Sequence, residues 1–163
     1  MKVTLKGQPV ELEGVQPIKG DKAPTFALPN LNDELVELSS LLAKPLIVSV
    51  VPDIDTSVCA LQTKRFNQEA ATISDINFVT ISNNSKEEQG DWCAAEGVDM
   101  VMLRDTDLEF GKNYGLFIPE MDRLARSIFV IDQNGVISYE EITPEIATEP
   151  DYAKAIEAAK ALI

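Results

Sequence analysis

The chain contains no histidine among its 163 residues. That absence removes Ser-His-Asp and Cys-His catalysis, every histidine-containing metal site and any haem held by a proximal histidine. Cysteine is scarce as well: Cys59 and Cys93 are the only two, so no four-cysteine zinc or iron–sulfur site can be assembled within the chain. They stand far apart in sequence and make no C-x-x-C pair, which leaves two unrelated buried thiols or a transient redox-active pair. Basic residues number 14 against 27 acidic ones, for a formal net charge of −13. Nucleic acid and anionic membranes are therefore excluded as expected partners, because both need clustered Lys and Arg. No apolar run approaches the length of a membrane span, and residues 1–7 carry no signal-peptide apolar region, so a cytoplasmic protein is expected. Hydrophobic residues at 45% and charged ones at 25% describe a globular chain. No repeat, low-complexity segment or linker divides it, and residues 1–163 read as one domain large enough for a core without disulfide staples.

What the chain does have is one unusual junction. Pro45-Leu46-Ile47-Val48-Ser49-Val50-Val51 reads as a buried strand, and residues 57–71 read as a helix. Between them runs Pro52-Asp53-Ile54-Asp55-Thr56-Ser57-Val58-Cys59. Cys59 thus falls where a strand has ended and a helix begins, among free backbone N–H groups at the positive end of the helix dipole. A thiol there has its thiolate stabilised, and the thiolate is the nucleophile. Cys59 is read as reactive on that ground, although a cysteine without such a context is more often an inert core residue. Cys59, Thr63, Phe66 and Ala70 recur at helical spacing, so the thiol points towards the core at the bottom of a pocket.

The remaining elements follow from local pattern. Residues 3–5 and 9–12 read as a hairpin across Gly7. Residues 23–28 form an edge segment, since Pro24 is ill suited to a central strand. Asn30-Leu31-Asn32-Asp33 is turn chemistry before a strand at 35–38, and Ser39 is placed to cap a short helix over 40–43. After a strand at 76–81, Ser85-Lys86-Glu87-Glu88 has capping-box spacing for a helix that carries Cys93 in its last turns and is weakened by Gly90. A short strand at 100–103 precedes a second capping box, Thr106-Asp107-Leu108-Glu109, opening a helix that stops near 114. Residues 126–131 and 136–140 flank Asp132-Gln133-Asn134-Gly135 as the clearest hairpin. A final helix begins near Glu149-Pro150 and can bury Tyr152, Ile156, Ala159 and Ile163. This order predicts an α/β fold: a mixed central β-sheet flanked by helices, with an N-terminal β-hairpin.

The order Pro52-x-x-x-Thr56-x-x-Cys59 resembles the active-site motif of the peroxiredoxins. Ile54-Asp55-Thr56-Ser57-Val58-Cys59 looks like the thiol peroxidase group of atypical two-cysteine peroxiredoxins. Trp92-Cys93-Ala94-Ala95-Glu96-Gly97 is similar to the segment bearing that group's resolving cysteine. Ala125-Arg126 resembles its active-site arginine, and Pro144-Glu145-Ile146 with Glu149-Pro150-Asp151-Tyr152 resembles its C-terminal segment. The match runs in order over essentially the whole chain. It implies a thioredoxin-like fold, a homodimer, and reduction of hydrogen peroxide and organic hydroperoxides by cysteine chemistry without metal, haem or other cofactor.

The resemblance also implies a role for each residue. Cys59 attacks the peroxide and becomes a sulfenic acid. Asp53 and Asp55 would oppose a thiolate they faced, so a cation is needed, and Arg126 is the candidate. Arg126 and the helix-start N–H groups hold the peroxide oxygens, Thr56 orients thiolate and peroxide through its hydroxyl, and Pro52 fixes the loop and screens the thiolate from water. Cys93 then resolves the sulfenic acid into an intramolecular Cys59–Cys93 disulfide, which thioredoxin reduces. A disulfide needs Cα atoms about 4.4–6.8 Å apart, so local unwinding around one or both cysteines is expected in each cycle. The reading from a different class is a non-enzymatic thiol redox sensor or binding module on the same fold.

Overall fold

Lys6 and Gly7 both take positive φ, 51° and 83°, and close β1 (Lys2–Leu5) onto β2 (Gln8–Glu11) as a two-residue hairpin. The computed structural model describes residues 1–54, 56–97 and 101–163, without the side chain of Ala70. The expected strand start at Met100, the place of Ala70 on its helix face and that of Asp55 beside the thiolate lie outside the described residues. β3 (Ala27–Pro29) pairs antiparallel with β4 (Leu35–Glu37) across a turn in which the Asn30 side-chain oxygen accepts from the amides of Asn32 and Glu34. The short helix expected after Ser39 is instead one 3-10 turn, Leu38–Leu41, with Ser39 inside it and no side-chain cap.

β5 (Leu46–Val50) is buried at every residue, as its largely apolar run demands of a strand covered on both faces. It is followed by α1 (Ser57–Thr72), β6 (Asn77–Ser82), α2 (Lys86–Glu96), β7 (Val101–Arg104), α3 (Glu109–Asn113), β8 (Phe117–Ile118), β9 (Arg123–Leu124), β10 (Ser127–Ile131), β11 (Ile137–Ile142) and α4 (Tyr152–Lys160). The five-stranded central sheet has the order β11-β10-β5-β6-β7. β5, β6 and β7 are parallel, while β10 runs antiparallel to both β5 and β11. This is the mixed sheet of a thioredoxin-like fold. Period-2 alternation divides its side chains. Ile47, Phe78, Ile128 and Val130 pack with Phe66 of α1 and Ala155, Ile156 and Ala159 of α4. Val48, Val79, Phe129 and Ile131 pack on the other face with Phe110 of α3 and with Val3 and Val10 of the hairpin.

Helix ends separate the local rules that hold from those that fail. Ser85 and Glu88 make both halves of the capping box of α2, and Gly97 closes that helix at φ 67°. The second capping box does not form. α3 is capped by buried Asp105, whose two carboxylate oxygens accept from the amides of Phe110 at 3.0 Å and Gly111 at 2.8 Å. Burial raises the pKa of that carboxyl, and the Gly111 and Phe110 amides counter it. α4 starts after Asp151, whose side chain accepts from Lys154 N, so Pro150 precedes the cap rather than opening the helix. Ile163, beyond the end of α4, is 64% exposed, while Leu162 packs against the cluster that contains Ala155. Among the described residues, no helix is long and apolar enough to cross a membrane.

Candidate active site

The strand-to-helix junction lies at the carboxyl end of β5, the end at which open α/β sheets hold their ligands. Thr56 occupies the N-cap position with extended backbone (φ −92°, ψ 155°), and Ala60 N makes the first helical bond to Thr56 O at 2.9 Å. Cys59 is therefore the third residue of α1, within the first turn, where amides have no helical acceptor. The Thr56 side chain does not cap the helix. Its hydroxyl donates to Asp53 O at 3.0 Å instead. The Thr56 amide also donates to Asp53 O, at 3.1 Å, so the loop closes as a tight turn under the helix. Thr56 is exposed; Pro52 is buried.

Cys59 is wholly buried, and Val51, Ile54, Trp92 and Met102 enclose it. Arg126 immediately precedes β10, on the strand directly beside β5, and is 2% exposed. Its Nη2 donates to Cys59 Sγ at 3.2 Å, its Nη1 to Gln62 Oε1 at 2.9 Å and its Nε to Ile146 O at 2.6 Å. Among the described residues, no acceptor of this guanidinium is a carboxylate. Among its hydrogen-bond acceptors in the described residues, only the Cys59 sulfur can carry a negative charge.

Cys93 lies in α2, half-buried, and packs against the cluster that contains Cys59. Both cysteines are thiols. Lys64 of α1 and Glu96 of α2 pair at 2.7 Å, tying together the two helices that carry them. Asp53 is turned to neighbouring side chains: its Oδ1 accepts from Asn84 Nδ2 at 3.1 Å and its Oδ2 lies 3.7 Å from Arg123 Nη2.

Sequence reasoning missed two polar residues of this site. Gln62 stands one helical turn beyond Cys59, fully buried, and its Nε2 donates to Ser49 Oγ at 2.8 Å while its Oε1 receives Arg126. A signal for it existed: Ser49 breaks an otherwise apolar buried strand, and a buried hydroxyl needs a partner. Asn84 is also fully buried, and its Oδ1 accepts from Ile54 N at 2.8 Å, which fixes the loop from the β6 side. Nothing in the sequence distinguishes Asn84 from adjacent Asn83. A separate cleft of about 520 Å³ between Phe26, Leu38 and Phe110 is lined by none of these side chains. Among the described residues, no group of three or more Cys, Asp or Glu side chains is placed to hold a metal ion.

Known proteins resemble this chain over nearly its whole length. The redoxin family model matches residues 18–156. A thiol peroxidase of Bacillus subtilis is 45% identical over 163 residues, covering 99% of this chain and 98% of its own. One from Listeria innocua is 46% identical over 160 residues, covering 97% of each. The crystal structure of a peroxiredoxin-like protein from Aquifex aeolicus superposes with a TM-score of 0.93 at 28% identity, over 99% of this chain and 97% of that one. The chain belongs to the redoxin family and, within it, to the thiol peroxidases.

Proposed function

We propose that this chain reduces hydrogen peroxide and organic hydroperoxides by a two-cysteine cycle, with Cys59 as the peroxidatic and Cys93 as the resolving residue. The observation that carries the reading is the Arg126 Nη2–Cys59 Sγ contact at 3.2 Å, made by a wholly buried thiol in the first turn of α1. At that distance the attraction between guanidinium and thiolate is on the order of 5 kcal/mol, offset in part by the cost of burying both charges.

The chemistry follows from the groups present. The Cys59 thiolate attacks one peroxide oxygen, the O–O bond breaks, and the leaving oxygen takes a proton and departs as water or an alcohol. Arg126 and the first-turn amides hold the oxygens as charge moves onto the leaving one. The Thr56 hydroxyl, at the mouth, keeps its oxygen lone pairs available while its proton is given to Asp53 O. To Pro52, which is buried, falls the part of fixing the loop and screening the sulfur from water. Because Cys59 is wholly buried, peroxide reaches it when the side chains packed around it move aside. The Cys93 thiolate then attacks the sulfenic sulfur, hydroxide leaves and is protonated to water, and the Cys59–Cys93 disulfide forms. A dithiol of the thioredoxin type returns two electrons and two protons. Thioredoxin as reductant, a homodimeric assembly and a cytoplasmic location belong to the same reading and are supported by membership of the family.

Peroxide-dependent turnover with thioredoxin and its reductase tests the proposal in the wild type, Cys59→Ser and Cys93→Ser. Cys59→Ser is expected to be inactive, and Cys93→Ser to oxidise once to a sulfenic acid that a trapping reagent captures. Full activity of Cys59→Ser would falsify the assignment. A wild type that oxidises once and does not turn over with any dithiol identifies a redox sensor instead.

A further inference from the structure

The third donor of Arg126 leads away from the active-site pocket. Nε donates to Ile146 O at 2.6 Å, the shortest of the three contacts. Ile146 belongs to the loop after β11, and that loop rests on the N-terminal hairpin. Thr4 N donates to Pro144 O at 2.8 Å, and Ile146 N donates to Thr4 O at 2.8 Å. Ile146 therefore hydrogen-bonds through its amide to the hairpin and through its carbonyl to the guanidinium. The side chain of Glu145 closes a clasp around the same contact. Its Oε1 accepts from Gly7 N at 2.9 Å and Thr4 Oγ1 at 3.1 Å, while its Oε2 accepts from Ala147 N at 2.7 Å. These amides hold the Glu145 carboxyl down to about 2, so it is charged at neutral pH. Apolar packing reinforces the clasp, since Ile146 lies in one core cluster with Val3, Val10 and Leu12.

We infer that the β1–β2 hairpin is part of the catalytic apparatus: through the Glu145 clasp and the Ile146 carbonyl it positions Arg126 against Cys59. Thr4 and Glu145 are then positioning residues, which touch neither peroxide nor sulfur. The inference rests on Cys59 and Arg126 acting as proposed above, and it adds to that reading a distant segment on which their geometry depends. A flexible guanidinium held by only two of its three acceptors would lose alignment, and small misplacements of a catalytic group cost large factors in rate.

The test uses the full chain with hydrogen peroxide as probe. Glu145→Ala and the near-isosteric Thr4→Val are expected to melt cooperatively, to show faster amide exchange in residues 3–10, and to lower the second-order rate of Cys59 oxidation about tenfold. Thiolate formation, followed by ultraviolet absorbance in a Cys93→Ser background, is expected to move to higher pH. Glu145→Gln, which retains one acceptor oxygen, recovers part of the rate. A double-mutant cycle separates this from a general loss of stability. In an Arg126→Lys background, which lacks the Nε donor, Glu145→Ala is expected to change the rate less than about twofold. The inference is overturned if the hairpin exchanges faster while rate and thiolate titration stay at wild-type values. It is equally overturned if Glu145→Ala costs as much in Arg126→Lys as in the wild type. Should Glu145→Ala fail to fold, Thr4→Val in the two backgrounds gives the same decision. An inactive wild type, or an active Cys59→Ser, counts against the peroxidase reading itself and is seen before any hairpin variant is made.

Discussion

Gln62 differs from glutamate by a charge and almost nothing in shape, and that difference governs how Arg126 is used. Its Oε1 accepts from Nη1 at 2.9 Å as a neutral amide, which orients the guanidinium and leaves its positive charge uncompensated. A carboxylate in the same place would pair with the guanidinium and add a negative charge near the sulfur, so the thiolate would form at higher pH. Gln62→Glu is accordingly expected to lower the rate of peroxide reduction at neutral pH about tenfold and to recover as pH rises. A rate–pH profile that overlays the wild type would rule this role out. The same residue shows where sequence reading stops. Cys59 announces itself by chemistry, as a scarce thiol at a helix start, and Arg126 by the family resemblance, as the cation a thiolate requires. A glutamine on a helix reads as solvated surface, and only its burial against Ser49 and Arg126 shows otherwise. Asp53 fails in the opposite direction: proximity in sequence suggests a charge facing the thiolate, whereas Asn84 and Arg123 engage it.

Two segments with the same spacing of residues behave differently as helix starts. Ser85 and Glu88 exchange side-chain and backbone bonds at 3.1 and 3.0 Å, whereas Thr106 and Glu109 do not, because α3 starts only at Glu109, with Leu108 at its N-cap and Asp105 accepting from the Phe110 and Gly111 amides. The motif records which side chains can reach, and burial decides which of two candidates does. Asp105→Ala is expected to cost about 1–2 kcal/mol in denaturant unfolding, as loss of a helix cap does. Thr106→Ala should stay within about 0.5 kcal/mol, the usual range for an exposed position. Equal losses for the two would restore the capping box. Glycine has a similar twofold reading in α2: Gly97 closes the helix in a left-handed conformation, while Gly90 lies inside it and lowers its intrinsic stability. Strands were the more legible elements, since the apolar runs of β5, β6 and β10 and the Asp132–Gly135 turn each specify a local structure without help from elsewhere.

At the scale of the molecule, alternation of strands and helices was enough to predict a mixed sheet, and position in that alternation placed Cys59 at its carboxyl edge. Of the pairings that complete the site, that of Arg126 with Cys59 was expected from the family resemblance alone, and that of Thr4 with Glu145 was not legible. Arg126 reaches Cys59 across 67 positions of sequence, and Thr4 meets Glu145 across 141. Periodicity within one segment carries no information about which distant segment it will touch. Those long-range contacts join the two ends of the chain to its centre, so the catalytic geometry depends on the fold being complete.

The enclosure of Cys59 has one further consequence. Trp92, the chain's single tryptophan, is 6% exposed within the cluster that holds Cys59 and is bonded in sequence to Cys93. Its indole packs in the cluster that holds Cys59 and that Cys93 packs against, so a rearrangement that joins the two sulfurs is expected to change its solvent contact. The protein thereby contains its own optical reporter. One equivalent of hydrogen peroxide is expected to shift the emission of the reduced protein, with the shift absent in Cys59→Ser and reversed by a dithiol. Emission that stays constant through a complete oxidation would mean that the helix bearing Trp92 holds still while the disulfide forms. The rate of the shift, read at several peroxide concentrations, would time the cycle without an added dye or coupled enzyme.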